Sequence, residues 1–348
     1  MVRKLLWASL LLAPATVAVD KLTDAGDVTL FVLAAIALVP LAWLIGEATE
    51  HAAEHTGPGI GGFLNASFGN APELIVALFA VGANLPVVVR GSLAGSVISN
   101  LLLVYGITQV VGPDGARIDR RSLLVQLRLV GAAVVALAFP TVLGYTGAPE
   151  RHIVVVASVP VAILLLLLYL AVVGRNLQRH RERAREREDP GAGTWSLATA
   201  LTALAVATGA TAWVCEILVH SLGAFAKAVG LSDFFIAVVV VAVVGNAAEH
   251  GGAIVIARNG KMRLASEIAI SSSAQVGLLV LPVVTLVSLL LTHPLALSFA
   301  WSELFAMAGA TVIVAATVWD GRSRRKEGWF LVAAYAAAVL GFLFGGGR

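Results

Sequence analysis

Cysteine and charge are both scarce in this 348-residue chain. The single cysteine, Cys215, excludes an intramolecular disulfide and a thiolate metal cluster, and it leaves the redox compartment unread. Only 13% of residues are charged, against about a quarter in soluble domains. With 59% hydrophobic residues and a mean hydropathy of +0.90, a water-soluble globular fold is excluded. The chain reads as an all-α polytopic membrane protein whose first partner is the lipid bilayer. A net charge of +3 and a pI near 9.2 are weakly basic, but the basic residues sit mostly in short loops between apolar runs. They therefore indicate membrane topology, and no nucleic-acid partner is expected.

Apolar runs lie at 5–19, 28–46, 59–83, 86–111, 122–146, 150–174, 195–229, 232–257, 262–291, 298–320 and 327–345. The first follows Arg3 and Lys4 as a secretory signal would, but Pro14 interrupts it and no small-residue cleavage pattern follows. It is taken as a span, giving eleven transmembrane helices. Placing the N-terminus in the cytoplasm puts 18 of the 24 Lys and Arg residues in cytoplasmic loops and the C-terminus outside. The expected organisation is an N-terminal helix and outer loop (1–27), a five-helix repeat (28–174), a basic linker (175–194) and a second five-helix repeat (195–348). An odd number of helices per repeat makes the second an inverted copy of the first, as in many secondary transporters. The linker alternates Arg with Glu, which suits a partly helical, solvated anchor.

The polar residues confirm that the two halves share one register. Gly69-Asn70-Ala71-Pro72-Glu73 returns 176 residues later as Gly245-Asn246-Ala247-Ala248-Glu249, and Ser96 and Ser99 map onto Ser272 and Gln275. Chance likeness between greasy segments explains apolar matches but not Gly, Asn, Glu and Ser in step. A carboxylate inside the bilayer costs several kcal/mol unless paired or neutralised, so Glu73 and Glu249 together mark a functional site. Gly69, Asn70 and Pro72 are expected to break the helix, and Gly245 with Asn246 to do so beside Glu249. Such breaks free carbonyl oxygens where the backbone lines protein or an ion path. Ser96 and Ser99 share a helix face, as do Ser272 and Gln275. Any one serine could simply pack two helices closely. Together, carboxylate, amide, carbonyl and hydroxyl oxygens without a His/Cys cluster suit a hard cation such as calcium.

These residues resemble the calcium/proton exchangers of the calcium/cation antiporter superfamily. Gly-Gly-Phe-Leu-Asn-Ala-Ser-Phe-Gly-Asn-Ala-Pro-Glu-Leu at 61–74 and Gly-Asn-Ala-Ala-Glu-His at 245–250 look like that family's paired signature repeats. Gly-Ser-Val-Ile-Ser-Asn at 95–100 and Ser-Ser-Ala-Gln at 272–275 look like its adjoining helices. The resemblance implies the sodium/calcium-exchanger-like fold. It also implies an antiporter, not an enzyme, in which Glu73 and Glu249 alternately bind calcium or protons. Asn70, Asn246, Ser96, Ser99, Ser272 and Gln275 would surround the metal. Calcium and protons are transported substrates, and no cofactor is expected. The Gly-Asn-Ala triplet differs from the Gly-Thr-Ser usual in the sodium-coupled branch, whereas Pro72 is reminiscent of that branch.

A sodium- or potassium-coupled exchanger is the alternative, and a passive cation channel a more distant one. His51-Ala52-Ala53-Glu54-His55 matches a zinc-peptidase pattern, but a membrane metallopeptidase would explain neither the repeat nor the buried glutamates. Secondary candidates are His250, directed about 100° away from its neighbour Glu249 on a helix, and the acids Glu50 and Glu216. Glu267, one turn after Arg263, is expected to pair with it. The composition and short loops suit a prokaryotic plasma membrane, and an oligomer is possible on these grounds without being specified by them.

Overall fold

The computed structural model describes residues 2–145, 147–184 and 195–345. Where no water can satisfy backbone amides, an apolar chain must close its hydrogen bonds within helices, and this one does. Two short helices, α1 (Val2–Ser9) and α2 (Leu12–Leu22), precede α3 (Asp27–Phe68) and α4 (Ala71–Gly82). The first half continues with α5 (Pro86–Val111), α6 (Arg120–Tyr145) and α7 (His152–Ala184). The second half comprises α8 (Leu197–Val229), α9 (Asp233–Gly245), α10 (Ala247–Arg258), α11 (Met262–Ser288), α12 (Trp301–Val318) and α13 (Arg325–Gly345).

Among the described residues nine helices are long and apolar enough to cross a membrane, and ten if the bent pair α9–α10 counts as one. The eleven expected are thus not all found as single helices. The run at 59–83 is divided between the end of α3 and the short α4, because α3 continues without a loop past residue 46 and breaks only at Gly69-Asn70. The basic linker is helical to Ala184, and 185–194 lie outside the described residues.

With no hydrophobic drive between helices in lipid, close approach depends on small residues. At Gly95 an added Cβ would overlap the Val238 carbonyl oxygen and lie 2.8 Å from the Ala242 methyl, so α5 and α9 touch backbone to backbone. At Gly328 it would meet the Gly106 carbonyl oxygen at 2.6 Å, closing α13 onto α5. The periphery is apolar by contrast: Val135, Phe139, Val142, Leu164, Leu167 and Phe305 are all exposed, as a lipid-facing rim would be.

Three π-helical turns interrupt the long helices, at Ser99–Val104, Ile236–Val241 and Val276–Val280. The first and third nearly coincide when the halves are overlaid at the 176-residue offset. Strands β1 (Ala116–Arg117) and β2 (Arg322–Ser323) pair antiparallel and tie a loop of one half to a loop of the other.

Candidate functional site

Each half contributes a broken helix, and the breaks are nearly identical. Asn70 has φ −100° and ψ 16°, and Asn246 has φ −93° and ψ 7°. Both lie in the sparsely populated bridge region that active-site residues often adopt. α9 and α10 bend by 58° across the second break, so the lack of a proline there does not prevent it. Each new helix begins at an alanine, and each places its glutamate in the first turn, Glu73 in α4 and Glu249 in α10. Pro72 fits without loss because the first helical positions need no amide donor.

The two breaks meet. A Cβ at Gly245 would lie 3.6 Å from Glu73 Cγ, so the Glu73 side chain rests against the break of the opposite half. Glu73 is 6% exposed, and neither of its carboxylate oxygens has a hydrogen-bond partner among the described residues. It borders a small cavity of about 10 Å³, lined also by Ser92, Ser96, Val241, Ala242 and Gly245. Such a space is about one water probe in size. Glu249 is partly exposed, its Oε2 is enclosed without a partner, and the Ser272 hydroxyl lies within hydrogen-bonding reach of its carboxylate.

Asparagines bridge the halves in both directions. Asn70 Nδ2 donates to Gln275 Oε1 at 2.6 Å, and Asn246 Nδ2 donates to Ser96 Oγ at 2.8 Å as well as to the Ala242 carbonyl at 2.8 Å. Asn70, Glu73, Ser96, Asn246, Glu249, Ser272 and Gln275 are therefore brought into one cluster. Ser99 is fully buried beside them, but its hydroxyl turns back to the Ser96 carbonyl of its own helix at 3.2 Å.

Asn100 is the residue that sequence reasoning undervalued. Its Nδ2 donates to Ser272 Oγ at 3.0 Å and to Asn246 Oδ1 at 3.4 Å, while its Oδ1 accepts from His250 Nε2 at 2.8 Å. His250 does point away from Glu249, yet it joins the network through Asn100. The position equivalent to Asn100 is Val276 and that equivalent to His250 is Leu74, so a search for repeated polar residues passes over both.

Glu50 and Glu216 are exposed and stand outside the cluster. Glu267 pairs with Arg263 at 3.8 Å, as expected, but Asp119 takes the same guanidinium at 2.7 Å. In the peptidase-like pattern, His51 stacks on Trp195 at 4.8 Å and lies between Glu47 and Glu54, while His55 Nε2 donates to the Trp195 carbonyl at 2.6 Å. Both imidazoles hold the approach to α8. Among the described residues no group of three or more His, Cys, Asp or Glu residues could hold a metal ion.

Comparison with known proteins gives the same picture from another side. The family described as sodium/calcium exchanger protein matches residues 27–177 and 199–344. The chain is 37% identical over 322 residues to the Ca(2+)/H(+) antiporter ChaA of Bacillus subtilis, covering 90% of this chain and 91% of that one. It is 34% identical over 348 residues to the Ca(2+)/H(+) antiporter of Synechocystis sp., covering 92% of each. The solved structure of native YfkE superposes with a TM-score of 0.81 at 34% identity, over 95% of this chain and 97% of that one.

Proposed function

Because the chain belongs to the sodium/calcium exchanger protein family, and within it to the calcium/proton exchangers, we propose that it exchanges calcium for protons across a membrane. It is a multi-pass membrane protein and a cation antiporter, not an enzyme. Glu73 and Glu249 each hold either the metal or a proton in this reading. Asn70, Asn246, Ser96, Ser272 and Gln275 supply the amide and hydroxyl oxygens around them, and Ser99 joins them only if its hydroxyl leaves the Ser96 carbonyl.

One observation carries the proposal: two carboxylates, one from each broken helix, stand in one polar cluster, and among the described residues no Lys or Arg is hydrogen-bonded to them. Two such groups repel one another and resist ionisation. A calcium ion cancels both charges at once, and so do two protons. The site therefore crosses the membrane loaded with one or the other, and charge counting at these two groups gives two protons per calcium. Hard oxygen ligands suit calcium better than a soft metal.

The repeats at 28–174 and 195–348 rock about this cluster, with the N-terminus cytoplasmic and the C-terminus outside, in the plasma membrane of a prokaryote. There the protein expels calcium using inward proton flow. The test is calcium-dependent dissipation of a pH gradient in proteoliposomes, repeated with sodium and manganese and with Glu73→Gln and Glu249→Gln. Normal proton-driven calcium flux in either variant would overturn the assignment, and flux that follows a sodium gradient instead would establish the alternative coupling.

A further inference from the structure

A second cavity, of about 270 Å³ and mostly apolar in its walls, lies at the opposite end of α5 from the π-turn, on the outer side in the orientation proposed above. Its walls include Arg90 and Val87 of α5, Thr141 and Tyr145 of α6, Phe234 of α9 and Glu303 of α12. Arg90 is paired with Glu150, whose second oxygen accepts from the Ala296 amide at 2.8 Å. That positive charge is thus matched where it stands. Glu303 is different. It is 2% exposed, its Oε2 accepts from the Ala300 amide at 2.6 Å, and its Oε1 is buried with no hydrogen-bond partner among the described residues.

A glutamate in the first turn of a helix ordinarily caps it, and the Ala300 bond does that. Capping uses one oxygen and is normally done in water. It does not explain why the other oxygen is enclosed beside a cavity with room for several waters and with Arg90, Thr141, Glu150 and Ser298 in its walls. The titratable and charged groups facing Glu303 are Arg90 from α5, Tyr145 from the end of α6 and Glu150 from the loop before α7. Arg151 lies near the mouth and donates to the Leu143 carbonyl, and exposed His293 stands beyond Glu150. Two carboxylates, one of them already paired with Arg90, are a poor site for a divalent ion, which seeks six or more oxygens and several negative charges. The other suits a single proton.

The same helix, α5, also lines the exchange site. Ser92 and Ser96, one turn apart on one face of α5, border the small cavity at Glu73. From Arg90 to Ser96 the helical rise is roughly 9 Å. Phe234, in the wall of the outer cavity, packs on Gly91, where an added Cβ would meet its ring at 3.2 Å.

We propose that Glu303 is a second proton-handling residue of this antiporter, loading protons from outer water for delivery along α5 to Glu73 and Glu249. Its Oε1 takes a proton from hydronium, leaving water, and gives it up to a cavity water on the inward side when the helices part. This rests on the calcium/proton reading, and the experiment separates the two. Glu303→Gln keeps the acceptor for the Ala300 amide and removes only the titration. In proteoliposomes, proton-driven calcium flux by this variant should fall about tenfold and follow a shifted outer-pH profile, the part set by Glu73 and Glu249 remaining, while radiolabelled calcium-for-calcium self-exchange, which moves no net protons, stays within about twofold. Glu303→Asp should keep the wild-type pH profile. Equal loss of both fluxes in Glu303→Gln and Glu303→Asp, or an unchanged pH profile in Glu303→Gln, would overturn the proposal alone. Wild-type protein that moves calcium without regard to pH would overturn both readings.

Discussion

The Ser273 hydroxyl donates to the Val97 carbonyl at 3.3 Å, and the two residues occupy equivalent positions, 176 apart, in the two halves. A residue that touches its own counterpart lies beside the pseudo-two-fold axis, so α5 and α11 cross there. The paired π-turns at Ser99–Val104 and Val276–Val280 come immediately after on each helix, and π-turns inside helices are frequent at functional sites. Around this axis the symmetry is incomplete: Asn70 reaches Gln275, whereas Asn246 reaches Ser96, one turn from the position that strict symmetry requires.

The α5–α9 contact is expected to be intolerant of volume. Gly95→Ala drives a methyl into the Val238 carbonyl, whereas Gly91→Ala meets nothing closer than 3.2 Å. The first should cost about 3 kcal/mol, the upper end for overpacked sites, and the second about 1 kcal/mol or less. Thermal unfolding in detergent distinguishes them, with Gly95→Ala melting well below Gly91→Ala.

Removing Asn100 strands His250 Nε2 and Asn246 Oδ1 inside the protein. Asn100→Ala should lose about 1–3 kcal/mol for each buried group left without a partner, and calcium affinity should fall about tenfold as Asn246 loses its support. Adding His250→Ala should cost less than the sum of the single changes, since both remove the same bond. Unfolding curves and calcium titration of the four proteins check this.

Calcium binding should weaken as pH falls. The metal requires both carboxylates ionised, so below the point where both are protonated each pH unit should raise the apparent Kd by about a hundredfold, with no dependence at high pH. Titration calorimetry at a series of pH values reads the slope directly. A tenfold change per unit would mean that only one of the two glutamates exchanges a proton.

Glu50 and Glu216 stand exposed, away from the cluster, and serve as controls. Glu50→Gln and Glu216→Gln should leave proton-driven calcium flux within about twofold of wild type, against loss to background for Glu73→Gln. Flux in matched proteoliposomes decides it.

Much of this molecule was fixed before any folding was considered. A chain with so few charges can live only in lipid, lipid demands helices, and two glutamates in matching polar surroundings demand a site that neutralises them. The repeat supplied Asn70, Glu73 and Ser96 with their counterparts, because symmetric residues announce one another. Which of them touch was settled in three dimensions. Helical spacing assigns a face but not a rotamer, so Ser99 could share the face of Ser96 and still turn its hydroxyl to its own backbone. A π-turn inserts a residue and rotates the remainder of its helix by about 100°, which no 3.6-residue pattern anticipates. Asn100 and His250 have apolar counterparts and so left no trace in the repeat, yet each is the other's partner. Glu303 has nothing in its local sequence to set it apart; the packing of α5, α6, α9 and α12 encloses its second oxygen beside a cavity.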